Sequence, residues 1–266
     1  TNLESVCETD ILVLAIPTQR IRHVTRTIQQ YIKSNISVIS SAKGFEVETG
    51  RLISEILAET LTNTNIGILS GPTFASEVIT GSPTAATFAM QDQSFATRLA
   101  EKLSSTSFRL YTSDDIIGVQ VGGAVKNIIA IACGIASGQG FGENTRAAIV
   151  TRGLAETARL ATALGGNAET LSGLSGLGDF LLSCTSRKSR NFKFGELLGI
   201  GHSPQEALKH MQGVVEGFHS AKPVFERANK LNIDLPICFS VSSILARNTD
   251  VSTSIRQLLN RPIRNE

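Results

Sequence analysis

The apolar residues divide the first 113 positions of the chain into short continuous runs separated by amphipathic stretches. The run ILVLAIP, which ends at Pro17, is apolar at every position, as is typical of a strand buried on both faces of a parallel sheet. The alternation of strands and helices predicts βα units and a largely parallel sheet. The further predicted strands are NISVIS, NIGILS, PTAATFAM (83–90) and FRLYTS (108–113), and the predicted helices lie at about 18–33, 49–59 and 92–103, with another helix start after Pro72.

The pattern changes after Thr112. The residues Ser113, Asp114 and Asp115 are suited to cap a helix, and helical periodicity then continues to Glu266 without a convincing strand. We therefore predict a boundary near residue 113. The expected architecture is α/β plus all-α, with a sheet domain over 1–113 and a helical domain over 114–266.

Ligands of parallel sheets bind beyond the carboxyl ends of the strands. Three segments are predicted to lie there, Pro17–Gln19, Lys43-Gly44 and Gly71–Thr73. A lysine after a strand is often only a solvated loop residue, and Lys43 fits that alternative as well. The glycine that follows it favours a functional role, because glycine lets the backbone approach a ligand closely.

Composition and charge exclude several classes of protein. The chain has 266 residues, of which 41% are hydrophobic, and its net charge of +2 is too small to indicate nucleic-acid binding. No signal peptide and no run of about 18 apolar residues is apparent, so we expect a soluble protein without membrane insertion. Four widely spaced cysteines form no CxxC pair, which argues against a zinc or disulfide framework and favours a reducing cytosol: Cys7, Cys133, Cys184 and Cys238.

The α/β half contains no GxGxxG phosphate loop after a strand, which is the signature of dinucleotide binding. The glycines of 138–142 have the wrong spacing, and those of 173–178 lie in the helical half with no strand before them. Two alternatives remain open at this point. Either the protein binds no dinucleotide, or the first βαβ unit is not part of this chain.

A single charge, Lys126, interrupts an almost entirely apolar helix over 118–138. Residues three and four positions away share its face, and none of them is acidic: Gly122, Gly123, Ile129 and Ala130. We therefore expect an unpaired, buried lysine. Removal from water favours the neutral amine, which suits a group that accepts and donates a proton. The alternative is a side chain that reaches solvent, and Asn127 beside it could contact a ligand or the backbone.

Four cations fall within seven residues, Arg187 to Lys193, downstream of Asp179, which lies among glycines. Ser189, Arg190 and Asn191 supply a hydroxyl, a guanidinium and an amide, and arginine binds phosphate with a bidentate fork. A solvated loop is the alternative. The absence of Trp and the local clustering argue against nucleic acid. The combination suits a small phosphorylated polyol or ketone.

Taken together, these motifs resemble the bacterial-type NAD(P)-dependent glycerol-3-phosphate dehydrogenases. They follow the family order over nearly the whole chain: SAKGFE, SGPTFASEV, PTAA, VGGAVKNIIAIACGIASG, ENTRAAIVTRGLAE, LSGLGDFLLSCTSRKSRNFKFG and VVEGFHSA. The resemblance implies a Rossmann-like domain followed by a 6-phosphogluconate-dehydrogenase-like helical domain. It also implies a hydride transfer, with NAD or NADP as cofactor, that interconverts dihydroxyacetone phosphate and sn-glycerol 3-phosphate for glycerophospholipid synthesis.

The resemblance also implies the roles of individual residues. Lys126 would be the proton acceptor in oxidation and the donor in reduction. The implied substrate residues are Lys43, Gly71, Thr73, Lys126, Asp179, Ser189, Arg190 and Asn191. The implied cofactor residues are Lys43, Ala75, Arg190, Val214 and Glu216.

The chain departs from the family pattern in two places. The opening GxGxxG unit is absent, which predicts an N-terminally truncated Rossmann-like domain with weak cofactor binding, and VVEGFHSA has Ser220 where threonine is usual. A non-catalytic remnant that binds a phosphorylated ligand, or serves as an interaction module, is the alternative to an enzyme. We expect a cytoplasmic protein, and a homodimer is compatible with the resemblance.

Overall fold

The computed structural model describes residues 3–262. Its first part holds five strands in the spatial order β1-β2-β3-β4-β5. The strand bounds are β1 Ile11–Leu14, β2 Ser37–Ser40, β3 Asn65–Ser70, β4 Thr84–Met90 and β5 Phe108–Ser113. The helices among them are α1 Leu3–Cys7, α2 Ile21–Ile28, α3 Ile53–Thr60, α4 Ala75–Ile79 and α5 Gln93–Leu103, with short 3₁₀ turns at Thr18–Arg20 and Gln29–Tyr31.

Three of the four strand pairs are parallel, as the alternation predicted, and β3–β4 is antiparallel. Apolar clusters lie on both faces of the sheet, one around Val38 and Ile68 and the other around Phe88 and Met90. The expected double-sided burial of the first strand is wrong. Because β1 lies at the edge of the sheet, Val13 is 50% exposed while Leu12 and Leu14 are buried.

The second part contains helices and no strand within residues 114–262, as predicted, and its last helix ends at Leu259. Its helices are α6 Ile116–Gly138, α7 Glu143–Ala163, α8 Asp179–Thr185, α9 Arg190–Gly199, α10 Pro204–Lys209, α11 Glu216–Lys230, α12 Pro236–Leu245 and α13 Val251–Leu259. The glycine-rich stretch before α8 forms a 3₁₀ turn, Ala168–Ser172, and a π-helical turn, Leu174–Gly178.

Helix α6 is the centre of the helical half. Its start is capped by Asp115, whose Oδ1 accepts a hydrogen bond from the Gly118 N–H at 2.7 Å. By length and composition α6 could cross a membrane, but 83% of its most apolar window is buried inside the molecule. The surrounding apolar cluster, which includes Ile128 and Phe194, identifies it as a core helix.

Candidate active site

The carboxyl ends of β2 and β3 face the middle of α6. Two glycines one turn before Lys126 permit this approach. A Cβ on Gly123 would lie 2.5 Å from Ser70 Oγ at the end of β3, and one on Gly122 would lie 2.6 Å from the Ser175 carbonyl oxygen. The small residues on the Lys126 face therefore let the sheet and the π-helical turn close onto α6.

Gly71 makes the turn at the end of β3. Its φ of +150° lies in a region that side chains disfavour, and an added Cβ would stand 3.0 Å from Ala86 Cα on β4. The turn directs the Gly71 carbonyl oxygen to Lys43, whose Nζ donates to it at 2.7 Å. The Thr73 hydroxyl donates to the same oxygen at 3.2 Å.

Lys126 is buried, with 7% of its surface exposed, as the helix pattern predicted. The expectation that it has no acidic partner is wrong. Its Nζ donates to Asp179 Oδ1 at 2.6 Å and to Ser183 Oγ at 2.7 Å. The acid comes from the start of α8, which neighbouring positions along α6 cannot reveal.

Asp179 holds a second lysine as well, since Lys43 Nζ donates to its Oδ2 at 2.6 Å. Burial of Asp179 opposes its charge, but the two lysines outweigh that effect and hold the pKa of the carboxyl below its usual range. Burial lowers the pKa of Lys43 to about 8, with Lys126 acting in the same direction and Asp179 opposing it. The result is a cluster of three charges, in which Asp179 and Lys126 are buried and Lys43 is partly exposed.

Ser183 belongs to this cluster and was missed by the sequence reasoning. Its hydroxyl accepts from Lys126 and lies 3.3 Å from Asp179 Oδ1, to which it donates. The signal was present in the spacing, because Ser183 stands four residues after Asp179 and therefore on the same face of α8.

The basic stretch separates into groups with different environments. Ser189 caps α9, its hydroxyl accepting from the Phe192 N–H at 3.3 Å, and Asn191 is buried. Arg190 is exposed and lies beside Gly213, where an added Cβ would approach its Nη1 to 2.5 Å.

Arg187 and Lys188 of the basic stretch are exposed, as the solvated-loop alternative predicts, and each is also paired with a carboxylate. Arg187 pairs with Glu196 at 2.9 Å, within its own half of the chain. Lys188 pairs with Glu77 of α4 at 2.7 Å.

A second polar group forms where β1 ends. Glu216, at the start of α11, accepts from the Thr18 N–H at 3.1 Å through Oε1. Burial raises the pKa of Glu216, against the opposing effect of the Thr18 N–H. Its Oε2 is buried and has no hydrogen-bond partner within residues 3–262. Val214 lies two residues before it and is partly exposed, and Ala75 is exposed in the first turn of α4.

Sequence models of one family match most of the chain. The model described as NAD-dependent glycerol-3-phosphate dehydrogenase N-terminus matches residues 1–96, and the corresponding C-terminus model matches residues 115–256. A relative from Rhodospirillum rubrum, named glycerol-3-phosphate dehydrogenase [NAD(P)+], is 43% identical over 99% of this chain and 75% of its own length. One of the same name from Sinorhizobium fredii is 45% identical over 97% of this chain and 76% of its own length.

Solved structures agree with the sequence comparisons. The crystal structure of glycerol-3-phosphate dehydrogenase from Coxiella burnetii superposes with a TM-score of 0.93 at 37% identity, over 98% of this chain and 80% of that one. The Saccharomyces cerevisiae enzyme superposes with a TM-score of 0.85 at 26% identity, over 97% of this chain and 78% of that one. The chain therefore belongs to the NAD-dependent glycerol-3-phosphate dehydrogenase family.

Proposed function

We propose that this protein interconverts dihydroxyacetone phosphate and sn-glycerol 3-phosphate with NADH or NADPH as the reductant. The observation that carries the proposal is the charge cluster of Lys43, Asp179 and Lys126, which lies where the carboxyl ends of β2 and β3 meet the central helix. Identity of 43–45% with the bacterial relatives favours this enzyme over a non-catalytic remnant.

Lys126 is the proposed acid and base. Its ammonium has three N–H groups, and two of them donate hydrogen bonds to Asp179 and Ser183. The third is available to the carbonyl oxygen of dihydroxyacetone phosphate. In reduction Lys126 donates its proton to that oxygen, and in oxidation it accepts the proton of the C2 hydroxyl. Asp179 holds the amine in place throughout.

Lys43 is the proposed binding partner of both the substrate and the cofactor. Two of its N–H bonds go to Gly71 and Asp179, which leaves one for the substrate. With a pKa of about 8 it is mostly charged at neutral pH and attracts an anion. Thr73 and the turn at Gly71 line the same edge of the sheet, and the remaining lone pairs of Asp179 can accept from a substrate hydroxyl.

The phosphate is proposed to bind at the start of α9. The first turn of a helix presents unpaired backbone N–H groups to an anion, and Arg190 adds a guanidinium fork. Ser189 fixes this start by capping it. Ser189, Arg190 and Asn191 thus provide the phosphate site through their backbone and the Arg190 side chain.

The second polar group, formed by Glu216 and the Thr18 N–H, is the proposed cofactor site. Glu216 Oε2, buried without a partner among the described residues, can accept a hydrogen bond from a nucleotide hydroxyl or amide. Arg190 supplies a positive charge near it, and Val214 and Ala75 supply apolar contact. When bound, the reduced nicotinamide supplies the hydride that is transferred to C2 of the substrate.

We place the domain boundary between 113 and 114, which gives a cofactor domain over 1–113 and a substrate domain over 114–266. The family models support this division, because the match to the N-terminus model ends at residue 96 and the match to the C-terminus model begins at residue 115. A cytoplasmic role in supplying sn-glycerol 3-phosphate to glycerophospholipid synthesis, and a homodimer, remain predictions from the family resemblance.

The test is a spectrophotometric assay of the full-length protein. With dihydroxyacetone phosphate present, NADH or NADPH should be oxidised, and sn-glycerol 3-phosphate should drive the reverse reaction. A folded full-length protein that turns over neither cofactor would contradict the proposal.

A further inference from the structure

Two buried asparagine side chains bond to each other between α6 and α9. Asn191 Nδ2 donates to Asn127 Oδ1 at 2.8 Å. Asn127 is only 5% exposed and Asn191 only 8%. Buried amides require partners for their polar atoms, so this pair is a defined part of the fold.

Each asparagine side chain also forms a hydrogen bond with a backbone group of another part of the fold. Asn127 Nδ2 donates to the Lys43 carbonyl oxygen at 3.0 Å. Asn191 Oδ1 accepts from the Gly217 N–H, in the first turn of α11, at 2.9 Å. We call the chain from Lys43 through Asn127 and Asn191 to Gly217 the amide relay. It joins the loop after β2, the central helix, the proposed phosphate helix and the start of α11.

The start of α11 lies directly on α6. A Cβ on Gly217 would stand 2.5 Å from the Asn127 carbonyl oxygen, so only glycine allows this approach. Glu216 immediately precedes Gly217 and accepts from the Thr18 N–H, in the 3₁₀ turn that follows β1. The position of Glu216 therefore depends on how firmly Gly217 is held against Asn127 and Asn191.

The Asn191 side chain is already engaged with two protein partners, through one of its two N–H groups and one of its two lone pairs. Its oxygen and its nitrogen each serve a protein partner, and both bonds would be lost or weakened if the side chain turned towards a phosphate. Its backbone, at the start of α9, is independent of these bonds.

We propose that the Asn191 side chain is a positioning residue for the cofactor site, holding Glu216 in place through the amide relay, rather than a substrate ligand. This inference rests on the proposed function, since it concerns the same cofactor and substrate. It predicts that loss of the side chain weakens cofactor binding and leaves substrate binding nearly intact.

The experiment measures binding of each ligand separately, in the full-length protein. NADPH is titrated by its fluorescence, and sn-glycerol 3-phosphate by calorimetry. In Asn191→Leu, which removes both hydrogen bonds, the Kd for NADPH should rise about tenfold or more, since each bond contributes of the order of 1 kcal/mol. The Kd for sn-glycerol 3-phosphate should stay within about threefold, as the backbone site is unchanged. If the leucine variant does not fold, Asn191→Ala, which leaves room for water, decides the question by the same two Kd values.

Gln120 is the matched control. It is also on α6, is 5% exposed, and joins α6 to α3 through Ser54, whose hydroxyl accepts from Nε2 at 2.8 Å and whose N–H donates to Oε1 at 2.9 Å. Gln120→Leu removes a comparable buried amide and should lower stability without changing the Kd for NADPH. An Asn191 variant that loses substrate affinity and keeps NADPH affinity overturns the inference, as does a Gln120 variant that weakens NADPH equally. A folded wild type that binds neither ligand contradicts the proposed function itself.

Discussion

Asp179 and Glu156 are two carboxylates with the same burial and opposite behaviour. Each is 1% exposed. Asp179 meets two ammonium groups, which overcome the effect of burial and lower its pKa. Glu156, on α7, accepts the backbone N–H groups of Ile237 and Cys238 at 2.7 and 3.1 Å, and burial raises its pKa to about 7, against the smaller opposing effects of these donors, the Cys238 thiol and Arg159. Peptide dipoles at the start of α12 therefore compensate much less than two full charges.

This difference distinguishes the charge cluster around Asp179, in the candidate active site, from the contact of Glu156, which holds two helices together. The cluster of Lys43, Asp179 and Lys126 holds three charges close together with little contact with water, which is costly unless each has a partner. The interior of the helical half uses a single carboxyl to anchor the start of α12, and this group can be neutral at physiological pH. Each carboxyl can be tested by a substitution that removes its charge.

The largest effect is expected for Asp179→Asn. Removing the acid leaves the buried Lys126 ammonium and the partly exposed Lys43 ammonium facing each other without a counter-charge, which should cost about 3–5 kcal/mol in unfolding free energy and nearly all turnover. The stability deficit should narrow between pH 7 and pH 10, because Lys43, whose pKa is lowered to about 8, loses its charge in that range. Urea unfolding at both pH values measures this.

Asp92→Asn is the matched control, since Asp92 caps α5 at an exposed position and asparagine caps equally well. It should leave stability nearly unchanged. A deficit below about 1 kcal/mol in Asp179→Asn would contradict the charge cluster, because breaking a buried pair costs more than that.

A smaller, pH-dependent effect is expected for Glu156→Gln. Since the folded pKa of Glu156 is raised above its unfolded value, the folded protein binds more protons between about pH 4.5 and 7. The contribution of Glu156 to stability is therefore present at low pH and is lost as the pH rises through that range. Relative to Glu156→Gln, the wild type should lose up to about 3 kcal/mol between pH 4.5 and pH 8.

The control for this titration is Glu226→Gln, on the exposed face of α11. Urea unfolding of that variant at the same pH values provides the reference for removing a glutamate charge at an exposed position. A stability difference between Glu156→Gln and the wild type that does not change with pH would show that the folded and unfolded states bind protons at Glu156 equally.

The sequence predicted the elements of the fold better than the partners of its charges. Alternating apolar runs predicted β1–β5 and the change to helices after residue 113, and the composition of α6 predicted a buried Lys126. The predicted helix at 49–59 begins only at Ile53, because a turn closes between Glu46 and Gly50, where φ is +68°. The antiparallel direction of β4 is not encoded in its apolar pattern, which is the same for either direction.

The pairing of Lys126 with Asp179 spans 53 positions and arises from the packing of α8 on α6. Local periodicity compares residues within one helix, so it cannot identify such a partner. Glu156 shows the same limit, since its place on α7 resembles any helical glutamate, and its N–H donors come from α12, about 80 residues later. The family resemblance named Asp179 but did not reveal that its two oxygens hold two lysines.

The smallest effect is expected for the exposed pair of Lys188 and Glu77, which joins the loop before α9 to α4 across the two halves. Exposed ion pairs contribute about 0–1 kcal/mol, so Lys188→Glu should raise the KM for dihydroxyacetone phosphate by no more than about fivefold, and less at high salt. The double variant that combines Lys188→Glu with Glu77→Lys reverses the ion pair and should restore the KM of the wild type. Arg187→Glu, in the same loop but paired within its own half, tests whether any charge reversal there has this effect.

The central claim is that Asp179 holds two lysines with different tasks. The most direct test compares Lys126→Met with Lys43→Met in the full-length protein, by single-turnover reduction of dihydroxyacetone phosphate and by the Kd of sn-glycerol 3-phosphate. Lys126→Met should slow the reduction about 10²–10⁴-fold while the Kd changes little, since the proton donor is lost. Lys43→Met should weaken binding about tenfold or more, because a charged hydrogen bond is lost. Retained turnover in a folded Lys126→Met protein would contradict the account.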